Sequence, residues 1–274
     1  MAPDTRRPAV AGMFYPREAP VLREMVDGLL AAVDGSPSPA RGAITPHAGL
    51  VYSGQCAAHV FARIALPSVV VVVAPNHTGR GTAPRGASVW TRGAFATPLG
   101  EVPIAEALAD ALLARCTLTA DDRVAHAGEH AIEVELPFLQ ALRPDVTLLP
   151  IVIGWDEWRY AEQLATDLAG LVRDWPQPVL LLASSDMTHY ESAVRARTKD
   201  QKALEAVGRL DGRGLLDVCR RERITMCGRG PAAVVLEACR QLGATTAEVV
   251  DYRNSGDVTG DDASVVAYAG VVVR

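Results

Sequence analysis

The chain has 274 residues, of which 49% are hydrophobic and 22% charged. Those proportions exclude a wholly disordered chain, and at roughly 150 residues per domain the length fits between one and two domains. A net charge of −5, from 27 Lys+Arg against 32 Asp+Glu, argues against nucleic-acid binding through phosphates, which favours a basic protein.

From residue 17 onward, Leu22, Met25, Val26, Leu29, Leu30 and Val33 follow the spacing of one helix face. Gly35-Ser36-Pro37-Ser38-Pro39 breaks the chain. Gly42–Thr45 reads as a short strand and Ser53–Ile64 as a helix. Val69–Ala74 is continuous and β-branched, the pattern of a strand buried on both faces. Residues 86–103 read as a β excursion with Gly and Pro turns. Ile104–Arg115 is helical, and so is Ile132–Leu142, with Pro137 obscuring its start. Thr147–Ile153 is a strand. Asp156 is placed to cap a helix whose stripe is Ala161, Leu164, Leu168, Leu171 and Val172. Val179–Ala183 is a strand, helices follow at 191–208, 212–221 and 231–242, and the strands Ala247–Arg253 and Ser264–Val273 end the chain.

This alternation predicts an α/β fold: a central, mostly parallel sheet with antiparallel additions, flanked by helices. No linker, repeat or low-complexity segment divides residues 1–274, so a single domain is expected. The longest unbroken apolar run is Val69–Ala74, far short of the ~20 residues of a membrane span. Met1 to Pro8 is polar and has no secretory apolar core. Cys56, Cys116, Cys219, Cys227 and Cys239 form no CxxC, which suggests free thiols in a reducing, cytoplasmic compartment.

The polar residues that follow the strands carry the functional signal. Pro46-His47-Ala48-Gly49 follows the first, Pro75-Asn76-His77-Thr78-Gly79 the second, and Ser184-Ser185-Asp186-Met187-Thr188-His189-Tyr190 a third. Ligands of open α/β sheets bind beyond the carboxyl ends of the strands, so the topology gathers three histidines on one rim. Glu129-His130 and Glu133 add a candidate face, with His130 and Glu133 three residues apart. Thr225 to Pro231 is a Gly-rich loop leading into a helix, with Pro231 suited to its first turn. A thiol there, Cys227, gains acidity from the helix start and from Arg229. Asn254 to Asp262 is acidic and turn-rich but lacks the order of a calcium loop, so it reads as a surface loop.

Two neutral imidazoles and one anion suit a mid-series divalent metal. His47 and His77 supply the imidazoles, and either Cys227 or Asp186 the anion. Asp186 and His189 make an acid–base pair. No GxSxG, P-loop or GxGxxG stands at a strand–helix junction, which removes support for serine hydrolase, NTPase and dinucleotide chemistry.

The stretches Arg7 to Pro16, Pro46 to Gly54, Pro75-Asn76-His77, Glu129 to Phe138, Ser184 to Tyr190, Cys227-Gly228-Arg229 and Asp262 to Tyr268 together resemble the Memo family. This family is the Memo component of the AmmeMemoRadiSam system, and its fold is related to the class III extradiol dioxygenases. The resemblance implies that His47, His77 and Cys227 are metal ligands, with Asp186 and His189 the adjacent polar pair. His130 is then expected to orient or protonate a substrate. It implies non-haem iron (Fe2+), with copper or zinc as alternatives, and a small-molecule substrate with dioxygen. It also implies a radical SAM protein and an AMMECR-domain protein as partners. The expected activity is that of a metal-dependent oxidoreductase. The competing readings are a non-enzymatic metal or redox protein acting through partners, and a zinc-type hydrolase. A thiolate stands where the dioxygenases have a carboxylate ligand. Gly230 and Thr78 depart from the family pattern at the pocket wall.

Overall fold

The computed structural model describes residues 4–81 and 86–274. The chain opens with strand β1 (Thr5–Arg6) and helix α1 (Ala19–Ala31), which has proline in its first turn and buries Leu22 and Val26. Strand β2 (Gly42–Thr45) leads to helix α2 (Leu50–Phe61), and then to β3 (Val69–Pro75). Three short strands follow: β4 (Ala87–Val89), β5 (Ala94–Thr97) and β6 (Gly100–Pro103). Next come α3 (Glu106–Arg115), β7 (Thr119–Asp121) and α4 (Arg123–Ala127). A 3-10 turn (Glu133–Glu135) runs directly into α5 (Leu136–Leu142). The second half holds β8 (Thr147–Ile153), α6 (Trp158–Asp174), β9 (Val179–Ser184) and β10 (His189–Glu191). It ends with α7 (Ala193–Gly208), α8 (Gly212–Glu222), α9 (Arg229–Gln241), β11 (Ala247–Asn254), α10 (Gly256–Thr259) and β12 (Val265–Val273).

The centre of the sheet is the parallel set β2-β9-β3-β8. Antiparallel strands complete it, β12 against β2 on one side and β4 against β8 on the other. Strands β10 and β11 both pair with β12, and β7 lies parallel to β4. A separate three-stranded sheet joins β1, β5 and β6.

Alternation along β3 explains its composition. Val69, Val71 and Val73 pack with Leu108, Leu164, Leu168 and Val234, which come from α3, α6 and α9. Val70, Val72 and Ala74 pack with Leu22, Phe61 and Phe138, which come from α1, α2 and α5. Both faces are covered, so every position is apolar. Each fully buried valine contributes about 1.5–3 kcal/mol of transfer free energy.

The fold class expected from the sequence is the one observed, and several boundaries shift for physical reasons. Helix α2 begins at Leu50, whose N–H donates to Phe14 O at 2.7 Å. Ser53 therefore sits inside the first turn, where its hydroxyl donates to Ala48 O at 2.8 Å. Asp156 does not cap α6: Glu157 holds the cap position, and Asp156 accepts from Arg229 Nε at 2.5 Å. Helix α9 starts at Arg229, so Pro231 is its third residue, still within the turn whose N–H groups have no helical partner. The Asn254–Asp262 stretch contains the short α10. The small elements β1, β7, α4 and β10 were not expected from the sequence. Asp122 caps α4, accepting from Val124 N and Ala125 N. No helix among the described residues is long and apolar enough to cross a membrane.

Candidate metal centre

The loop after β2 carries His47, which is 1% exposed. Its backbone N–H donates to Asp186 Oδ1 at 2.9 Å, and its ring Nδ1 lies 2.8 Å from Ser184 Oγ at the end of β9. The loop after β3 carries His77. Asn76 shapes this loop, its Oδ1 accepting from Thr78 Oγ1 and Gly79 N, both at 2.9 Å. The His77 N–H donates to Glu129 Oε2 at 2.6 Å and its ring Nδ1–H to Glu129 Oε1 at 2.9 Å. The next residue, His130, donates its backbone N–H to the same Oε1 at 2.8 Å.

Three imidazoles meet at this rim. The His77 and His130 rings stack with centroids 4.6 Å apart, and His47 stands edge-on at 5.1 Å and 5.4 Å from them. One ring nitrogen from each of the three lies within 4.8 Å of the other two, a group that can hold a metal ion. The Nδ1 atoms of His47 and His77 are engaged behind the rings, so Nε2 is the ligand atom on both. Burial lowers the pKa of His47, and the charges of His77, His130 and His189 lower it further. Burial also holds His130 and His189 below the ordinary histidine value. Neutral imidazole is the form that binds metal.

Cys227 lies beside this group, its Sγ 3.3 Å from His47 Nε2. The sulfur also accepts the Asp186 N–H at 3.3 Å. Gly228 permits this approach, since a Cβ there would meet Ser184 O at 2.3 Å and Ser185 Cβ at 2.5 Å. The compact group of three thus has His130 in it and Cys227 at its edge, in contact with His47. The acidity expected for Cys227 is absent. Burial pushes its thiol pKa up and the Asp186 charge adds to the rise, while Arg229 is engaged with Asp156.

Asp186 and His189 both line the cleft in front of the imidazoles, which encloses about 350 Å³. They do not pair with each other. Asp186 clamps the His47 backbone, and burial raises its pKa to about 7 against the pull of the His47 and Ala48 N–H groups. The His189 N–H donates to Thr225 Oγ1 at 2.8 Å, and its buried Nδ1 has no protein partner among the described residues. Tyr190 beside it adopts a left-handed backbone, φ 60°, and projects into solvent at the rim. Gly230 faces Trp155 O, which a Cβ would meet at 2.4 Å, so a larger side chain has no room here.

Glu133 does not share the site with His130. Its fully buried carboxylate accepts from Arg6 Nη1 at 2.6 Å, from Ala9 N at 2.8 Å, from Val10 N at 3.0 Å, and from the Tyr15 hydroxyl. Arg6 in turn donates to the carbonyls of His126 and Glu129. The N-terminal segment therefore buttresses the turn that presents Glu129 and His130. Sequence reasoning placed Glu129 beside His130 as a candidate without its grip on His77, and gave Ser184 and Glu135 no role. The signal for Glu135 was its place between Val134 and Leu136: a carboxyl inside an apolar run needs a buried partner.

The profile of the family described as Memo-like protein matches residues 6–272. A MEMO1 family protein of Methanopyrus kandleri is 38% identical over 98% of this chain and 99% of its own length. One from Aquifex aeolicus is 40% identical over 97% and 98%. One from Methanosarcina acetivorans is 39% identical over 99% and 100%. The crystal structure of an uncharacterized protein from Escherichia coli K12 has a similar fold, with a TM-score of 0.56 at 15% identity. That match covers 83% of this chain and 98% of the other. With near-complete coverage by both the profile and these relatives, the chain belongs to the Memo family.

Proposed function

We propose that the protein is a metal-dependent oxidoreductase that acts on a small molecule in the cleft at the carboxyl ends of the strands. The observation that carries this reading is the group of His47, His77 and His130, with ligand atoms within 4.8 Å of one another. Their fixed outer nitrogens suit a mid-series divalent ion, and the resemblance to the extradiol dioxygenases favours non-haem iron with dioxygen as oxidant. His47 and His77 are the core ligands, His130 the third, and Cys227, once deprotonated by the metal, an anionic donor beside His47. When bound, iron would supply dioxygen activation and a path for electrons from the bound substrate to dioxygen.

The chain's own residues shape the rest. A cleft of about 350 Å³ accommodates one small molecule. His189, which lines that cleft, is the group poised to exchange a proton with it. Partner binding by a radical SAM protein and an AMMECR-domain protein belongs to the same proposal, and co-purification with a tagged chain tests it.

The decisive experiment loads the protein anaerobically with Fe2+ and measures bound metal, then oxygen uptake coupled to loss of candidate substrates. His47→Ala and His77→Ala should each abolish tight binding while leaving the fold intact. His130→Ala and Cys227→Ser, compared side by side, rank the two remaining donors. Full metal occupancy in both the His47 and His77 variants would overturn the site. A set of three imidazoles also suits zinc, which supports a second reading as a hydrolase with activated water. Zinc-dependent substrate hydrolysis without oxygen uptake would favour it.

A further inference from the structure

Behind His47 lies a hydrogen-bond cluster whose hydrogens can be counted. The Ser184 hydroxyl is fully buried and has three neighbours, each at 2.8 Å: His47 Nδ1, Ala131 O and Glu135 Oε1. Two of these contacts are oxygen to oxygen, and each requires a hydrogen between the atoms. Ser184 owns one hydrogen. The Ala131 carbonyl has none. If Glu135 were a carboxylate, one oxygen pair would face lone pair to lone pair at 2.8 Å in a fully buried position.

We propose that Glu135 is a neutral carboxylic acid in the resting protein and that, through Ser184, its proton sets the tautomer of His47. Glu135 O–H donates to Ser184 Oγ, and Ser184 O–H donates to Ala131 O. The remaining lone pair of Ser184 then accepts His47 Nδ1–H, which leaves His47 Nε2 unprotonated toward Cys227 and the other imidazoles. Glu135 is a positioning residue: it acts on the site through Ser184.

The surroundings agree. Glu135 is 1% exposed, and its Oε2 has no hydrogen-bond partner among the described residues. The charged group acting on it is Asp186, which has the same sign. Burial raises its pKa to about 8 against the pull of the nearby Thr45 and Ser184 hydroxyls, and the Asp186 charge adds to the rise. A buried carboxylate without a cation or a full set of donors is strongly disfavoured, whereas the acid form needs neither.

Carbon-13 NMR of the chelator-treated protein, labelled only at glutamate carboxyl carbons, tests this assignment near neutral pH. Asp186 is silent in that spectrum. We expect one glutamate carboxyl at the shift of a neutral acid, absent in Glu135→Gln. Nitrogen-15 spectra should show His47 protonated at Nδ1 in the wild type and in Glu135→Gln, whose amide still donates to Ser184. In Glu135→Ala that preference should be lost. Should Glu135→Gln not fold, Glu135→Asp assigns the signal by removing it from the glutamate-labelled spectrum. A wild-type spectrum with every glutamate ionised overturns the proposal, and so does a neutral-acid signal that survives both substitutions. The measurement uses metal-free protein, so its failure is separate from any failure of the metal assignment.

Discussion

Glu129 grips His77 at two points, taking the backbone N–H on Oε2 at 2.6 Å and the ring Nδ1–H on Oε1 at 2.9 Å. Oε1 also accepts the N–H groups of His130 and Ala131, at 2.8 Å and 3.0 Å. Burial alone would raise the Glu129 pKa, but the hydrogen bond and charge of His77, helped by Ala131 N–H and His130, pull it below the ordinary glutamate value. Glu129 is thus an ionised acceptor facing only donors. Glu129→Gln should be nearly as damaging as Glu129→Ala, because an amide turns N–H toward N–H. Either change should weaken zinc binding by about 10–100-fold, the usual cost of losing the partner that orients a ligand. Titration calorimetry measures this, and unchanged affinity in Glu129→Gln would refute the clamp.

Gly228→Ala should destabilise the protein by about 1–3 kcal/mol, the usual cost of forcing extra volume into a packed site. The new Cβ would meet the backbone oxygen of Ser184 at 2.3 Å, and backbone cannot swing aside as a flexible side chain does. Relief requires the Cys227 loop to lift from β9, which also separates the thiol from His47. Urea denaturation gives the stability change. Alkylation of Cys227, slow in the wild type because its raised pKa keeps the thiol protonated, should accelerate in the variant.

Much of this architecture is legible in the residues because burial on both faces leaves continuous apolar runs. Val69–Ala74 and Thr147–Ile153 therefore read directly as strands. His47 and His77 are legible for a related reason: they are polar residues just past those runs. The short β7, β10 and α4 are not, because strands and helices of three to five residues owe their form to tertiary neighbours rather than to local pattern. Cys227 misleads in the sequence. The nearby helix start and Arg229 suggest a positive environment, but the depth of burial and the Asp186 carboxylate, both set by packing against the end of β9, act the other way. Glu133 misleads because the 3-10 turn breaks the helical spacing that would have placed it beside His130.

The buried Arg6–Glu133 pair makes a third expectation. Arg6→Met leaves a buried carboxylate without its cation, which should cost about 3–5 kcal/mol. Adding Glu133→Gln in that background should recover part of the loss, since the stranded charge is removed. A double-mutant cycle by chemical denaturation measures the coupling. Additive effects of the two changes would show that the pair does not act as a unit.

Asp200 gives a pH dependence. Its carboxyl is fully buried and accepts from Thr188 Oγ1 at 2.7 Å and from the Tyr252 hydroxyl at 2.8 Å. Burial raises its pKa above the ordinary aspartate value despite those bonds, and the Glu191 charge adds to the rise. Between the unfolded and folded pKa values the native state holds more protons than the unfolded chain. This group's contribution to stability is therefore fully present below the unfolded pKa and declines as pH rises through the folded one. Asp200→Asn should flatten that part of the stability–pH curve and gain on the wild type toward neutrality. Denaturation midpoints across the acid-to-neutral range check it, and parallel curves would exclude Asp200 as the source.

The sequence separations inside the centre and its buttress also govern how it comes into being. His77 and Glu129 are 52 positions apart, Arg6 and Glu133 are 127 apart, and His47 and Cys227 are 180 apart. Closing loops of that size is entropically slow and precedes any reward from the contacts they allow. A nascent chain emerging from the ribosome holds both early histidines long before Cys227 is synthesised. The pocket is therefore one of the last features to mature, and an ion that binds it reports on completed folding. In stopped-flow refolding with zinc and a chromogenic chelator, metal uptake should track the slowest phase, after helix formation is over.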